Sequence, residues 1–567
     1  MQCREKINLQ HLSEPDSWEF FKTTAGTDFD TPEFEAVGRL VAKECGGLPI
    51  ALVAVAKALG DKDMEEWHKA LHRLQRNLPV NGDDDKTVFN CIKLSYDFLE
   101  SEEKECFLVC CLFPEDHNID KEEFARYGMG MGLFQEFNTM EQARGDADTI
   151  AKKLIASGLL LDGDKKEQVK MHDVIRDVAV LITSSSSSWA SSSRTDHHHR
   201  KQQQVFMVQA GFGLKEWPRR ETYEKYTAIS LMANEIQRLP DGLDCPKLQA
   251  LLLQDNSNLK EIPSTFFNAM VTLRVLDLNG IQASSLPPSI ELLKNLRTLS
   301  LDRCKFKDVA MLGALEKLEI LSLKESFIDA LPEDLGKLSK LRMLDLTMCC
   351  LINSIPENLM SRLSYLEELY LKGSFAQWKV ADQNVEDGST EADTSTTTAC
   401  FRELIDLPCL SVAKVEIANV ECLPRNANSV PNWVKFDISI CCNPGKRLIY
   451  ANLSRQTTNS TVYSRSLLLD ISMNSLPDWF IEVVSEKAEK LMCSGCSGLN
   501  LVEEFNRGRL TSLKSLVVEQ CAEVFHLMIF GEGFSSELPL FESLEELRIH
   551  HMYSMEGICV GEGLWPD

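Results

Sequence analysis

Few residues in this 567-residue chain are spaced for chemistry. Cys493-x-x-Cys496 has the spacing of half a zinc site or of a redox pair, but no second pair follows at zinc spacing, and both cysteines fit apolar positions of a degenerate repeat. His197, His198 and His199 could bind a metal; within a Ser- and Gln-rich tract the triplet reads as a compositional run. His172, followed by Asp173, reads on its own as a solvent-facing residue before a helix. Gly46-Gly47-Leu48-Pro49 reads as a turn that breaks a helix. A loop that cradles phosphates needs G-x-x-x-x-G-K-[ST], so that backbone N–H groups and a lysine surround the anion. The only Gly-Lys pairs are Gly336-Lys337 and Gly445-Lys446, and neither has that context. No Ser/His/Asp arrangement stands out. No catalytic residue and no metal ligand is therefore expected.

Composition narrows the class. Hydrophobic residues make up 44% and charged residues 26%, which suits large buried cores and excludes a disordered or collagenous chain. The formal net charge of −25 argues against a protein that coats nucleic acid or anionic membrane. No stretch reaches the roughly 20 apolar residues that span a bilayer. The 19 cysteines are odd in number and follow no even spacing, and the N-terminus lacks a signal-peptide core, so reduced thiols in the cytoplasm or nucleus are expected.

The elements that must position these residues begin with a repeat. L-x-x-L-x-L recurs at Leu248/Leu251/Leu253, Leu273/Leu276/Leu278, Leu296/Leu299/Leu301, Leu318/Leu321/Leu323, Leu341/Leu344/Leu346 and Leu366/Leu369/Leu371. Leu239-Pro240, Ile262-Pro263, Leu286-Pro287, Leu331-Pro332 and Ile355-Pro356 hold one phase of it, and Cys304 and Cys349 fill the Asn/Cys position. This is the leucine-rich-repeat signature. The leucines point inward from short strands, and stacking predicts a parallel sheet on a concave face over one continuous core. The intervening side chains are expected to point outward, among them Arg297, Arg303, Lys324, Glu325, Arg342, Asp345, Glu368, Tyr370 and Lys372. That face suits protein recognition. Degenerate blocks follow at Leu410/Ala413/Val415, Ala488/Leu491/Cys493, Leu513/Leu516/Val518 and Leu544/Leu547/Ile549, after an acidic, Ser/Thr-rich insertion at 373–400.

Upstream, apolar residues recur at helical spacing in Phe34–Leu59, Trp67–Leu78, Ser95–Phe113, Ala151–Leu161 and Val174–Ile182. The domains expected are 1–80, 81–185, a low-complexity linker at 186–224 and the repeats at 225–567. Residues 81–185 carry 22 acidic and 12 basic side chains, which opposes a DNA-binding role for that segment.

Four segments carry a family resemblance. Cys45-Gly46-Gly47-Leu48-Pro49-Ile50-Ala51-Leu52 looks like the GLPL motif of plant nucleotide-binding leucine-rich-repeat immune receptors. Cys106-Phe107-Leu108-Val109-Cys110-Cys111-Leu112-Phe113-Pro114-Glu115-Asp116 resembles a further motif of that family, in the form of its coiled-coil class. Val169-Lys170-Met171-His172-Asp173-Val174-Ile175-Arg176-Asp177 resembles its MHD motif, and Trp18-Glu19-Phe20-Phe21 the segment before GLPL. All four stand in the family's order, ahead of a repeat array.

The resemblance implies a multidomain protein: an α-helical N-terminal region (a helical bundle with the GLPL motif, then a winged helix with the MHD motif) and an α/β leucine-rich-repeat solenoid. It implies ADP/ATP as cofactor, with Pro49 against the adenine, His172 at the β-phosphate, and Gly47, Leu48, Met171 and Asp173 shaping those motifs. A histidine suits that role because a ring N–H can donate to a phosphate oxygen. The partners implied are a pathogen effector or a guarded host protein on the repeats (candidates Arg297, Arg303, Lys324, Arg342, Asp345 and Tyr370) and intramolecular contacts to the nucleotide domain. No phosphate loop and no strand ending in paired aspartates precedes Trp18, so the chain is expected to correspond to the C-terminal part of such a receptor and not to hydrolyse ATP. A binding scaffold or adaptor without a nucleotide switch is the alternative.

Overall fold

The computed structural model describes residues 10–27, 29, 31–76, 84–134, 137–184, 204–380, 398–426, 430–441, 463–496, 499–501, 510–521, 524–529 and 543–560. They fall into two units. The first comprises Met1–Glu235, Asp244–Leu253 and Leu273–Val275, and the second Ile236–Leu243, Gln254–Thr272 and Leu276–Asp567.

The first unit opens with helices α1 (Glu14–Ala25), α2 (Pro32–Glu44), α3 (Pro49–Leu59), α4 (Met64–Arg76) and α5 (Asp84–Phe98). Their starts follow from capping chemistry. Ser13 accepts the Asp16 amide and Thr31 accepts the Phe34 amide, and prolines occupy the first turns of α1, α2 and α3. Their core gathers Trp18, Phe21, Val41, Leu52, Val55, Leu59 and Trp67, with Cys91 and Leu94 from α5. Trp67 stands edge-on to Phe21, Phe29 and Phe34 at 5.3–5.9 Å, the geometry that aromatic quadrupoles favour.

Two helical spans differ from the sequence reading. Ser95–Phe113 is broken at Leu99-Glu100 into α5 and α6 (Ser101–Cys110), because the Glu100 amide and the Glu103 carboxylate close a capping box there. The apolar period runs through the break because both helices bury the same kind of face. Ala151–Leu161 is the end of a longer helix, α8 (Met140–Ala156); Gly158 at φ 72° turns the chain, and Leu161 starts a strand. With α7 (Lys121–Met131) and α9 (Asp173–Thr183), these helices surround a three-stranded antiparallel sheet of order β1–β3–β2 (Asn118–Asp120, Gln168–Lys170, Leu161–Asp162).

The segment read as a linker is shorter than 186–224. The buried run at Val205–Met207 forms β4 (Phe206–Val208), which pairs in parallel with β5 (Ala228–Ser230), and β5 with β6 (Ala250–Leu252). The repeat architecture thus begins two blocks earlier than the leucine pattern, at β4 and then at Tyr226-x-x-Ile229-x-Leu231, whose first position is aromatic. The low-complexity run and the three histidines lie outside the described residues.

In the second unit the blocks become strands β8 (Thr298–Ser300), β9 (Ile320–Ser322), β10 (Met343–Asp345), β11 (Glu368–Tyr370), β12 (Val412–Ile417), β13 (Lys435–Ile440), β14 (Arg465–Leu469), β15 (Lys490–Ser494), β16 (Ser515–Glu519) and, after β17 (His526–Ile529), β18 (Glu546–His550). From β8 to β16 each pairs with the next in parallel, and β16 pairs with β18. The block at Leu273 forms β7 (Val275–Asp277). Strands β13 and β14 carry no clear L-x-x-L-x-L and escaped the sequence pattern. At the block Leu544/Leu547/Ile549, Leu547 is exposed.

Two columns of the turn after each strand fix the stacking. The first is a left-handed residue: Asp255, Gly280, Arg303, Glu325, Met348 and Gly373 have φ between 57° and 76°. Their amides reach the next repeat, as in Arg303 to the Lys324 carbonyl, Glu325 to that of Thr347 and Met348 to that of Lys372, at 2.7–2.8 Å. The second column follows directly. The Cys304 thiol donates to the Leu278 carbonyl at 3.2 Å, the Ser326 hydroxyl to Leu301 at 2.7 Å and the Cys349 thiol to Leu323 at 2.9 Å. Buried carbonyls that the sheet leaves open are thereby satisfied.

The insertion is narrower than 373–400. Trp378 and Phe401 stack edge-on in the core, Lys379 bridges to Cys400, and the buried Glu403 carboxylate accepts the amides of Asn358, Met360 and Cys400. Residues 381–397 lie outside the described residues.

Two measurements check these contacts. The Ser326 hydroxyl also accepts the Cys304 amide at 3.2 Å, so Ser326→Ala leaves a buried donor and acceptor open and is expected to cost about 1–3 kcal/mol in denaturant melts. On α7, burial would raise the Glu122 carboxyl, but Arg144 and Arg126 outweigh it and hold it down to about 2. A carboxyl depressed in the fold stabilises above its unfolded value and loses that contribution as pH falls. Glu122→Gln is expected to be less stable at pH 7 and to lose stability less steeply than the parent between pH 5 and pH 2.

Candidate functional site

The Gly-Gly-Leu-Pro turn is built by conformation. Gly46 and Gly47 sit at φ 65° and 72°, a region closed to most side chains. The Gly47 carbonyl accepts the Leu12 amide at 3.0 Å, and a Cβ on Gly47 would lie 2.6 Å from the Leu12 carbonyl oxygen. Leu48, half-buried, is the N-cap of α3, and Pro49, exposed, is its first residue. A proline there loses nothing, because the first amides of a helix have no internal partner.

His172 is the N-cap of α9. Its Nδ1 accepts the Val174 amide at 3.2 Å, and its carbonyl accepts the Arg176 amide at 2.9 Å. An accepting Nδ1 puts the ring proton on Nε2. The exposed ring therefore offers one N–H donor. Met171 before it is buried. Asp173 is the first residue of α9, where a carboxylate suits the helix dipole. The ring is held by the Val174 amide; among the described residues Asp173 makes no hydrogen bond to it, in contrast to the supporting role expected for Asp173. Helices α3 and α9 both pack on α5, so Pro49 and His172 stand on two helices that share one neighbour.

One turn along α9 the structure adds a residue the sequence reading missed. Arg176 is 3% exposed; its Nε donates to the Phe113 carbonyl at 2.7 Å and its Nη1 faces Glu115 at 3.5 Å. The neighbouring Leu112 carbonyl accepts the Ser230 hydroxyl from β5 at 2.6 Å, and the Met131 carbonyl at the end of α7 accepts Arg274 Nη1 at 2.9 Å. Ser230 and Arg274 are repeat side chains, and both are spent on the helical part of their own unit. The available signal was Arg176 itself: the helical period of α9 places it on the apolar face with Ile175 and Ala179.

In the second unit, several residues expected to face a partner serve the array instead. Arg342 Nε and Nη2 both reach Glu367 Oε1 at 2.5–2.6 Å, and Arg297 faces Glu319 at 3.7 Å. Basic and acidic side chains thus alternate along one column, Arg297, Glu319, Arg342, Glu367. Asp345 is 8% exposed because its carboxylate turns back to accept the Thr347 amide at 2.9 Å. Glu368 is 1% exposed and accepts the Tyr370 hydroxyl at 2.9 Å. Arg303 reaches across Gly280 to Asn279 and Asp255 at 3.0 and 2.8 Å. Lys372 pairs with Asp437 at 2.9 Å. Lys324 remains exposed, and Lys414 lies exposed over the half-buried Tyr370 ring at 5.1 Å. Cys493 and Cys496 are buried thiols, and among the described residues no group of side chains is arranged to hold a metal.

The glycine turn gives a paired test. Gly47→Ala meets both the left-handed penalty and the Leu12 carbonyl, and is expected to cost about 2–4 kcal/mol. Gly26→Ala, at φ 62° with nothing within 4 Å of its Cβ, is expected to cost only about 1 kcal/mol. Equal melting temperatures for the two variants would contradict the close approach at Gly47.

Among the described residues, no helix is long and apolar enough to cross a membrane. Residues 228–430 match the family described as "Leucine-rich repeat region". Disease resistance protein At4g27190 of Arabidopsis thaliana is 34% identical over 96% of this chain and 53% of its own length. Probable disease resistance protein At4g27220 of the same plant is 31% identical over 97% of this chain and 56% of its own. A leucine-rich-repeat protein of Leptospira interrogans aligns at TM-score 0.32 with 18% identity, over 52% of this chain and 73% of that one. The chain spans about half the length of the curated relatives it matches. Order of motifs, repeat architecture and sequence similarity converge: over nearly its whole length this chain is similar to plant disease resistance proteins.

Proposed function

We propose that this chain is the sensing and switch-restraining part of an intracellular plant immune receptor, acting by binding and not by catalysis. The carrying observation is the pair of exposed motif residues, Pro49 and His172, on helices packed against the same α5. In this reading residues 81–185 are the winged-helix subdomain of a nucleotide-binding region. Pro49 lies against the adenine of ADP, and the His172 Nε2–H donates to its β-phosphate. The residues present fit one side of such a site, an apolar ring and a single donor. The phosphate-cradling motif has no counterpart in this sequence. What ADP supplies is an anionic bridge; what the chain supplies is the preset ring of His172, its tautomer fixed by the Val174 amide.

The recognition surface belongs to the repeats. Ser230 and Arg274 already bond to residues 112 and 131 of the same unit. Side chains offered to a pathogen effector or a modified host protein are those the array leaves exposed, such as Lys324 and Lys414. Engagement there would shift a two-state equilibrium between a closed ADP form and an open ATP form.

The test is expression in leaf tissue of the receptor containing this region, with and without His172→Val. Removing a charge-assisted hydrogen bond worth about 1.5–3 kcal/mol should move the closed-to-open ratio roughly tenfold to a hundredfold toward open. Cell death without a pathogen is the expected outcome. A variant as quiet as the parent, at equal protein level, rules out the restraining role of His172.

A further inference from the structure

We propose that Cys496 and Cys521, in adjacent repeats, are a redox pair that closes to a disulfide when hydrogen peroxide oxidises the protein, stapling those two repeats together. The Cys493-x-x-Cys496 spacing points to a different pairing, and strand register decides between them. Strands β15 and β16 run in parallel with Lys490 opposite Ser515 through Ser494 opposite Glu519. The register continues into the turns: the Gly495 amide donates to the Glu519 carbonyl at 3.0 Å, and Gly495 and Gln520 are both left-handed, at φ 68° and 54°. The next residue on each side is Cys496 and Cys521. In-register neighbours on adjacent strands lie about 4.8 Å apart, inside the roughly 4.4–6.8 Å between Cα atoms that a disulfide spans.

Both thiols also point into the same layer. Cys496 and Cys521 are 2% and 0% exposed. The Cys496 sulfur donates to the carbonyls of Leu469 and Ile471 at 3.6 and 3.8 Å, and the Cys521 sulfur to that of Glu519 at 3.3 Å. Cys493 stands on the strand with Val518 as its register partner. Elsewhere in this column Cys304 and Cys349 are separated by Ser326, so no two thiols adjoin there. The Cys496 thiol beside it, and burial, push the Cys521 thiol up. Few thiolates form, so closure is slow, as a staple permits and a fast peroxide sensor does not.

The chemistry balances with one peroxide per pair. One thiolate sulfur attacks a peroxide oxygen, the O–O bond breaks, and a sulfenic acid and one water result. The second sulfur then displaces the sulfenic oxygen as a second water, and the S–S bond forms. Two sulfurs are oxidised and one peroxide is reduced.

The experiment treats the native chain with hydrogen peroxide and digests it with trypsin without reduction. Cleavage after Lys490, Arg507 and Lys514 puts Cys493 and Cys496 in one peptide and Cys521 in another. The expected product is a cross-link between those peptides, lost on reduction, with the parent's melting temperature raised by roughly 5–10 °C before reduction. Neither Cys521→Ser nor Cys496→Ser should show the rise, and the cross-link in the parent stands as a readout if either variant folds poorly. A bond within the 491–507 peptide, or sulfinic and sulfonic acids in place of a cross-link, overturns the pairing. A cross-link without a shift in melting temperature overturns the stapling.

Discussion

Every repeat of this array must satisfy a backbone amide and a carbonyl where the strand ends, and the rest of the structure depends on how it does so. The left-handed residue turns its amide toward the next repeat, and the Cys or Ser after it sends a side chain back to the carbonyl of the previous one. At Cys304, Ser326 and Cys349 one residue looks forward and its neighbour looks back, so those turns are pinned on both sides. The leucine core can then be close-packed with these backbone carbonyls satisfied. Ala233, Asp255, Arg303, Glu325, Met348, Gln520 and His551 hold such left-handed positions in place of glycine, at a cost of about 1–2 kcal/mol each. The side chains retained there find uses, as when Arg303 bridges over Gly280 to Asp255.

The same economy governs the helical part. Arg176 and Ser230 donate to the successive carbonyls of Phe113 and Leu112. A helix, a turn and a repeat strand are therefore held at one short stretch of backbone. A buried guanidinium with a half-exposed carboxylate partner is costly unless its N–H groups are used, and here one is used on the carbonyl of a residue whose own ring packs against Tyr127 and His117. The motif segments thus act structurally before any ligand is considered: one glycine pair closes on Leu12, and one histidine caps a helix.

Much of this was legible in the chain. The leucine period placed β6 through β11 and the Cys column, and the Gly-Gly-Leu-Pro break divided α2 from α3. What stayed hidden has physical causes. Strands β13 and β14 bury Phe436, Ile438, Leu467 and Leu469 in place of a regular leucine set, so the period fails while the packing survives. The α5–α6 break is a capping event inside a continuous apolar pattern. Arg342, Asp345 and Glu368 were expected to point outward, because sequence spacing gives the direction of a side chain and not its neighbours. Pairing with Glu367, a turn back to the Thr347 amide and the Tyr370 hydroxyl each required the fold to be visible.

The Glu403 clip has one further implication. By gathering the amides of Asn358, Met360 and Cys400, and with Lys379 bridged to Cys400, it fixes both stems of the chain excursion that leaves at residue 380 and returns at 398. Once the stems are fixed, the free energy of the array depends only weakly on how long the excursion is, since closure entropy grows with the logarithm of length. That site is a port in the solenoid at which sequence can be gained, lost or exchanged while the stacking on either side keeps its register.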